Sequence, residues 1–350
     1  MDKKDIIERT LYIKYRPATF EDVIGQDHVV SSLKSAIDNG NPGHAYLFSG
    51  SRGTGKTTMA RILARALGAS REDVHEIDAA SNRGIGEMKE LCEAAYVLPF
   101  ASKKKVYIMD EAHMLTREGG NAFLKMLEEP PEHVVFILAT TEPHKLLPTI
   151  VSRCQHFQFR RPSEEVLTKF VEKVTKSEGF EIDKDAASLI ATLGDGSYRD
   201  TLTFLQQTIL TGKKSIERPH VEKISGAPKM ELVHDMVLAI VARDVDTSLA
   251  TVHNAESAGL DLKVFLKLCI REIREALLIA LSPKLKEVIK GRISDSRFEA
   301  ILELSKKGSG SDILPKSLTE LLLAYEQMSH TPTPELPLEL ALCRILTPTS

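Results

Sequence analysis

Cysteine is scarce in this chain: Cys92, Cys154, Cys269 and Cys343 lie far apart, with no C-x-x-C pair among them. Such spacing suggests neither a zinc module nor a disulfide framework, and it suits the reducing cytoplasm. The sequence also lacks an apolar run long enough to cross a membrane and an apolar segment behind its charged first residues. We therefore expect a cytoplasmic protein with no signal peptide and no membrane partner.

An excess of either charge is missing as well. The 350 residues contain 46 Lys and Arg against 49 Asp and Glu, which gives a net charge of −3. The average composition therefore does not indicate nucleic acid, and any contact with DNA requires a local surface. Hydrophobic residues make up 42% of the chain, which is enough for real cores, and the length predicts two or three domains.

The most specific pattern present is Gly50-Ser51-Arg52-Gly53-Thr54-Gly55-Lys56-Thr57, which matches G-x-x-x-x-G-K-[ST] at every fixed position. It lies between an apolar segment at 44–49, a predicted strand, and a segment at 58–67 with helical spacing. The glycines let backbone N–H groups turn towards an anion, and the helix adds its positive N-terminal end.

This P-loop predicts a site for ATP and Mg²⁺. Lys56 should contact the β- and γ-phosphates, and the Thr57 hydroxyl should bind the metal. The expected phosphate-binding residues are Gly50, Ser51, Gly53, Thr54, Gly55, Lys56, Thr57 and Thr58.

Strands alternate with helices over the first part of the chain, which predicts a parallel five-stranded sheet covered on both faces. Ligands of such sheets bind at the carboxyl ends of the strands. From Pro162 the strand signal vanishes and helical segments follow, with a hinge at 225–228. We expect an α/β nucleotide-binding domain at 1–161, a small helical domain at 162–225 and an all-helical domain at 226–350.

Two further strand ends carry candidate catalytic groups. Asp110 and Glu111 follow an apolar strand, where Asp110 could hold Mg²⁺ and Glu111 could activate the attacking water. Thr141 follows the next strand, and its hydroxyl could reach the γ-phosphate or that water. Threonine is frequent at strand ends, so this position alone is weak evidence.

Two arginines could stabilise charge on a transferred phosphoryl group. Arg153 follows a short predicted helix, and composition alone makes it an ordinary surface residue. Arg199 opens a helix of the second domain, where it either faces the nucleotide or pairs with Asp200. The spacing leaves both alternatives open.

Taken together, several short segments resemble one family. They are Tyr15-Arg16-Pro17, Val23-Ile24-Gly25-Gln26, the P-loop, Ile77-Asp78-Ala79-Ala80-Ser81, Asp110-Glu111-Ala112-His113-Met114-Leu115, Leu127-Glu128-Glu129-Pro130-Pro131, Ala139-Thr140-Thr141-Glu142-Pro143, Ser152-Arg153-Cys154 and Gly196-Ser197-Tyr198-Arg199-Asp200. The chain resembles the gamma/tau subunits of bacterial DNA polymerase III, the AAA+ motors of clamp loaders. The helical remainder is similar in layout only.

The resemblance implies an AAA+ domain followed by a helical lid and a helical collar. It also implies that the P-loop and the two carboxylates are Walker A and Walker B, with Thr141 as sensor 1 and Arg199 as sensor 2 on the lid. Arg153 would be an arginine finger that acts on ATP in the neighbouring subunit. The adenine is expected near Val23 and Ile24.

The implied partners are the delta and delta-prime subunits, further copies of this chain in a pentameric ring, the sliding clamp and primed DNA. ATP binding would let the ring open the clamp, and DNA would trigger hydrolysis, in a replisome at the nucleoid. Ser81, Asn82 and Arg83 stand where the family touches DNA phosphates, a suitable set ahead of a helix. A capped surface loop is the alternative.

The sequence departs from the family in two places. Many members carry a four-cysteine zinc module after the P-loop helix, whereas residues 67–73 contain no cysteine, so we expect no zinc. The chain also stops at Ser350, just after the collar, as either a natural gamma-like form or a shortened tau.

Two other functions share part of this pattern. A Holliday-junction branch-migration motor shares the Walker elements but usually ends in a winged-helix domain, and no β-hairpin signal follows residue 225. A non-hydrolysing structural clamp-loader subunit would need a broken P-loop or Walker B, and both are intact here.

Overall fold

The computed structural model describes residues 10–82, 84–309 and 311–347. Within it the chain forms two compact units. The first holds the chain up to Phe170 together with Gly194–Thr203, and the second holds Val171–Leu193 and the chain from Phe204 onward.

The first unit is built on one parallel sheet of five strands in the order β2-β3-β4-β1-β5. Its strands are β1 (Ala45–Ser49), β2 (Val74–Asp78), β3 (Lys105–Asp110), β4 (Val134–Thr140) and β5 (Gln155–Gln158). Every residue of β1 and β4 is buried, as expected for central strands covered on both faces. The predicted parallel five-stranded sheet is therefore confirmed.

Helices cover both faces of this sheet. The helices of this part of the chain are α1 (Leu11–Lys14), α2 (Asp27–Asp38), α3 (Lys56–Ala66), α4 (Ile85–Ala95), α5 (Arg117–Glu128) and α6 (Pro148–Val151), with 3₁₀ turns at Phe20–Asp22, Arg71–Asp73, Ala112–Met114 and Pro143–Lys145. Of these helices, α2 and α3 contribute to one core cluster and α4, α5 and α6 to the other. Successive strand residues point to opposite faces. Leu47 packs with Phe123 of α5, while Phe48 packs with Leu63 of α3, in two separate core clusters.

Four helices follow the sheet: α7 (Glu164–Ser177), α8 (Lys184–Leu193), α9 (Tyr198–Ile209) and α10 (Arg218–Ser225). The second unit also contains two short strands, β6 (Glu181–Ile182) and β7 (Ser215–Ile216), which pair in parallel. The expectation that strands end at Pro162 was wrong here, because two-residue strands are too short to show alternation in the sequence.

The rest of the second unit is helical. Its helices are α11 (Met230–Ala242), α12 (Val245–Ser257), α13 (Leu262–Leu281), α14 (Pro283–Lys290), α15 (Asp295–Gly308), α16 (Ile313–Gln327) and α17 (Glu335–Leu346). The long α13 starts where the Asp261 carboxylate accepts hydrogen bonds from the N–H groups of Lys263 and Val264, an N-cap. No strand occurs among the described residues from Met230 onward, so the predicted helical region is confirmed.

None of the helices in the described ranges combines the length and the apolar character that crossing a membrane requires.

Candidate nucleotide-binding site

The P-loop forms the turn between β1 and α3, and its glycines adopt conformations that other residues avoid. Gly50, Gly53 and Gly55 have φ values of 148°, 74° and 101°, in the region that favours glycine. A Cβ on Gly53 would also lie 1.9 Å from the Ser197 Oγ. A side chain at any of the three positions would therefore strain the turn, and at Gly50 or Gly53 it would also collide with neighbouring atoms.

Polar side chains of the loop close the turn and leave capacity for a ligand. The Thr54 hydroxyl donates to the Ser51 carbonyl at 2.9 Å. The Ser51 hydroxyl is buried and has no hydrogen-bond partner among the described residues, as expected where a bound group would satisfy it. Thr58 lies half-buried in the first turn of α3.

Lys56 is 6% exposed, and its Nζ donates to the carbonyls of Gly50 at 2.8 Å and Ser51 at 3.0 Å. Burial lowers the pKa of this lysine, and the carboxylates of Glu111 and Asp110 oppose that shift. The positive charge of Arg199 lowers the same pKa further. These electrostatic effects indicate that the four charged groups share one region.

The pair expected to hold Mg²⁺ is in contact, since the Thr57 Oγ1 donates to the Asp110 Oδ2 at 2.9 Å. Hydroxyl and carboxylate oxygens are ligands that Mg²⁺ accepts, usually with substrate phosphates and waters completing the shell. Among the described residues no cluster of three His, Cys, Asp or Glu side chains could hold a metal without such help. The donor set therefore fits a metal that arrives with a nucleotide.

Glu111 is held in an unusual backbone conformation, with φ of 48° and ψ of 44°. Its Oε2 accepts a hydrogen bond from the Thr141 hydroxyl at 3.2 Å and lies 3.5 Å from the His113 Nδ1. That Nδ1 also lies 3.0 Å from the Thr140 Oγ1. Left-handed non-glycine residues cluster at functional sites. The Glu111 carboxylate is positioned by Thr141, which follows β4, and by His113, which follows β3.

The start of α9 lies against the P-loop within the first unit. The Tyr198 N–H donates to the Gly53 carbonyl at 3.0 Å, and its hydroxyl donates to the Ile24 carbonyl at 2.8 Å. Burial raises the pKa of Tyr198 to about 12. Val23 and Ile24 are half-buried, so the expected adenine segment is tied directly to this helix.

Arg199, the next residue of α9, is exposed. No ion pair with Asp200 occurs within the described part of the chain. The alternative in which Arg199 pairs with Asp200 is therefore not seen in the structure.

Arg153 is not among the groups that meet at the P-loop. Its guanidinium donates to the Glu128 carboxylate and, at 2.9 Å, to the Thr149 carbonyl. Within a single chain this arginine therefore has partners of its own, away from Lys56.

The segment expected at DNA is organised by Asp78. Its carboxylate accepts from the Ala80 N–H at 3.0 Å and the Ser81 hydroxyl at 3.2 Å, and its carbonyl accepts from the Asn82 amide at 3.1 Å. Arg83 lies outside the described residues. Ser81 and Asn82 therefore offer only weak neutral donors to a phosphate. The Asp78 carboxylate beside them repels it.

Sequence reasoning assigned no role to several residues that position the site. Tyr198 and Ser197 join α9 to the P-loop, His113 contacts Glu111, and the Gln26 amide pairs with both backbone groups of Arg160 at 2.7 and 3.1 Å. All but Arg160 lie inside the motifs that carried the family resemblance. Their side chains gave no chemical signal of their own in the sequence.

The sheet order, the P-loop after β1 and the carboxylates after β3 define an AAA+ P-loop NTPase fold, which confirms the predicted fold class. A solved structure similar to this one is the RuvB Holliday junction branch migration motor of Thermotoga maritima. It has a TM-score of 0.52 and 20% identity over 71% of this chain and 86% of that chain, a likeness that shows the fold alone.

Family models give a narrower assignment. Residues 25–83 and 69–163 match "DNA polymerase III, delta subunit", and residues 167–214 match "DNA polymerase III clamp loader subunit, ATPase lid domain". The gamma/tau subunit of Mycobacterium tuberculosis is 34% identical over 97% of this chain and 63% of its own length. The gamma subunit of Buchnera aphidicola is 31% identical over 95% of this chain and 97% of its own length.

The chain belongs to the family of DNA polymerase III gamma and tau subunits. It spans 63% of the length of the gamma/tau relative from Mycobacterium tuberculosis.

Proposed function

We propose that this chain is an ATP-hydrolysing motor subunit of the DNA polymerase III clamp loader, which opens the sliding clamp and loads it on primed DNA. The observation that carries the proposal is the convergence of Lys56, the Thr57–Asp110 pair and the Thr141–Glu111 pair around one P-loop. Membership of the gamma and tau family supports the same conclusion.

The residues present suit ATP with Mg²⁺, which would supply the phosphoryl group and its charge neutralisation. Backbone N–H groups of the P-loop and Lys56 would bind the phosphates, and Thr57 with Asp110 would bind the metal. Glu111 would orient and deprotonate the attacking water, while the Thr141 hydroxyl keeps that carboxylate in place. Val23 and Ile24 would border the adenine.

Two arginines would complete the chemistry from different subunits. Arg199 would act on the nucleotide of its own chain, which is supported by its effect on the pKa of Lys56. Arg153 would act on the nucleotide of the neighbouring chain, since its partners within the chain lie away from the P-loop. A guanidinium suits both tasks because its planar donors match phosphate oxygens.

The proposed assembly is a pentameric ring with delta and delta-prime subunits. In it residues 1–161 form the motor, 162–225 the lid and 226–350 the collar. Ser81, Asn82 and Arg83 would face the DNA backbone.

We further propose that the protein needs no structural zinc, because residues 67–73 hold no cysteine. Elemental analysis that found about one zinc per chain would contradict this.

The proposal is tested by ATP hydrolysis in the reconstituted complex. Hydrolysis should be faster with primed DNA and clamp together than with neither, and Lys56→Ala chains should abolish the stimulated part. Stimulation by a four-way junction but not by primed DNA and clamp would favour a branch-migration motor. Hydrolysis that neither DNA nor clamp changes would contradict clamp loading.

A further inference from the structure

The Arg153 side chain has three hydrogen-bond partners on its own subunit, of which two are close. Its Nη2 contacts the Glu128 Oε1, and its Nη1 donates to the Thr149 carbonyl at 2.9 Å and, at 3.5 Å, to the Ser152 hydroxyl. The side chains of Arg153 and Glu128 remain 34% and 49% exposed. The guanidinium is therefore fixed in direction while it stays accessible from outside the chain.

Both supports stand on rigid elements. Glu128 ends α5, and Thr149 lies in α6. The two helices meet closely at Gly120 of α5, where a Cβ would approach within 2.9 Å of the Leu147 side chain and 3.4 Å of the Ile150 side chain. Because Ile150 is 1% exposed and belongs to the core that also contains α5 residues, the distance between the two supports is fixed by packing.

Neither stability nor helix formation explains a carboxylate at this place. Exposed ion pairs contribute little to the free energy of folding. The C-terminal turn of a helix disfavours carboxylates because the dipole is negative there. The position is better explained by what the carboxylate does to Arg153.

An arginine side chain has many rotamers, and an arginine that must reach a phosphate loses that freedom on binding. A guanidinium also carries more N–H donors than these two acceptors use. An arginine already ordered by a carboxylate and a carbonyl can present its remaining donors without a further ordering cost.

We propose that Glu128 is a positioning residue for Arg153: it orders the guanidinium before the subunits meet, so that the free N–H donors face the nucleotide of the neighbouring subunit. The proposal rests on the function proposed above, since it requires Arg153 to act between subunits. It assigns Glu128 a part in hydrolysis although Glu128 touches no reacting atom.

The first test compares Glu128→Ala with Glu129→Ala in the assembled complex. Glu129 is the adjacent exposed glutamate and forms no ion pair with the described residues, so it is a matched control. Glu128→Ala should lower kcat for ATP hydrolysis roughly fivefold with KM unchanged, the size expected when one side chain loses its preorganisation. Glu128→Gln, which keeps an acceptor oxygen, should recover part of the loss.

A double-mutant cycle separates positioning from a structural role. In the Arg153→Ala background, Glu128→Ala should change kcat no further. An equal loss in both backgrounds would overturn the proposal, as would an unchanged or increased kcat for Glu128→Ala alone; an increase would mean that the pair restrains the arginine.

A second measurement keeps the two proposals apart. In the isolated chain, ¹⁵N relaxation of the Arg153 Nε–H should report an ordered side chain that becomes mobile in Glu128→Ala but not in Glu129→Ala. If that signal is already mobile in the unaltered chain, Glu128 does not order Arg153. If it is ordered and Arg153→Ala leaves hydrolysis in the complex unchanged, the arginine has no role between subunits, and both the finger assignment and a positioning role for Glu128 are wrong.

Discussion

At the P-loop of the first unit, Lys56 and Asp110 bond to neutral partners, whereas buried charges of the second unit pair with opposite charges. Lys56 makes its hydrogen bonds to two backbone carbonyls, and Asp110 receives one from the Thr57 hydroxyl. These are neutral partners that a phosphate or a metal can replace. The charges around the P-loop are thus arranged for a ligand from outside.

In the second unit opposite charges neutralise each other directly. Arg218 and Glu222 lie 2.8 Å apart, and both side chains are only 9% exposed. Arg297, at 5% exposure, lies 3.4 Å from Glu275. Such pairs add little net stability compared with apolar packing, but removing one partner leaves the other as an unpaired buried charge. The difference suggests that the charges at the P-loop serve ligand binding, whereas the buried charges of the second unit serve pairing within and between its helices.

The largest expected effect lies in the first unit. Lys56→Ala should abolish ATP binding, because it removes the cation opposite the phosphates and leaves the carboxylates of Asp110 and Glu111 without it. Titration with a fluorescent ATP analogue measures this directly. The fold should persist, since Lys56 bonds only to the loop. Equal affinity for both proteins would refute the P-loop assignment.

The next effect separates ATP binding from ATP hydrolysis at the carboxyl ends of the same strands. Glu111→Gln should keep ATP affinity while slowing hydrolysis roughly 10²-fold, as the loss of a general base implies. Thr141→Val, which removes only the hydroxyl that bonds Glu111, should slow hydrolysis less. Single-turnover hydrolysis with affinity measured separately checks both. A Glu111→Gln protein that hydrolyses normally would assign the base elsewhere.

The two units also differ in how far the sequence predicts them. In the first unit, strand segments that alternate with helical segments predict all five strands of the sheet, and the glycine pattern predicts the P-loop. The reason is that backbone requirements there permit few residue types. The partners that align Glu111 and the P-loop were not predicted, because contacts such as Tyr198 to Ile24 join residues 174 positions apart.

In the second unit the helices are predicted by spacing, but their buried polar residues are not. The spacing of apolar residues over 261–281 predicts a helix face that includes Cys269, Ile273 and Ala280. In the structure of α13, however, Ala280 is exposed and Glu272 is fully buried. A glutamate at helical spacing resembles a solvated residue in sequence. Its buried carboxylate pairs with the His234 side chain of α11, 38 positions away in the sequence.

Breaking that pair tests whether the second unit depends on its internal charges. Glu272→Ala should lower the free energy of unfolding by about 3 kcal/mol, since a buried partner is removed and His234 is left without it. Asp312→Ala, which breaks an exposed pair with Arg243 in the same unit, should cost at most about 1 kcal/mol. Urea unfolding measures both. Equal small losses would mean that buried charge is not structural here.

The smallest effect is a pH dependence confined to the second unit. The Glu272 carboxylate, 2.6 Å from the His234 Nδ1, raises the pKa of His234 despite partial burial, and Asp235 and Glu303 act in the same direction.

A raised folded-state pKa means that protonated His234 stabilises the fold fully below the unfolded-state pKa of about 6.5. This contribution is lost as pH rises through the higher folded-state value. The stability advantage of the unaltered chain over His234→Gln should therefore shrink as pH rises above about 6.5. His253→Gln, at a histidine 74% exposed, is the control for a histidine-to-glutamine change at the surface. An advantage that grows with pH would mean that His234 is neutral in the folded protein and that the pair is an ordinary hydrogen bond.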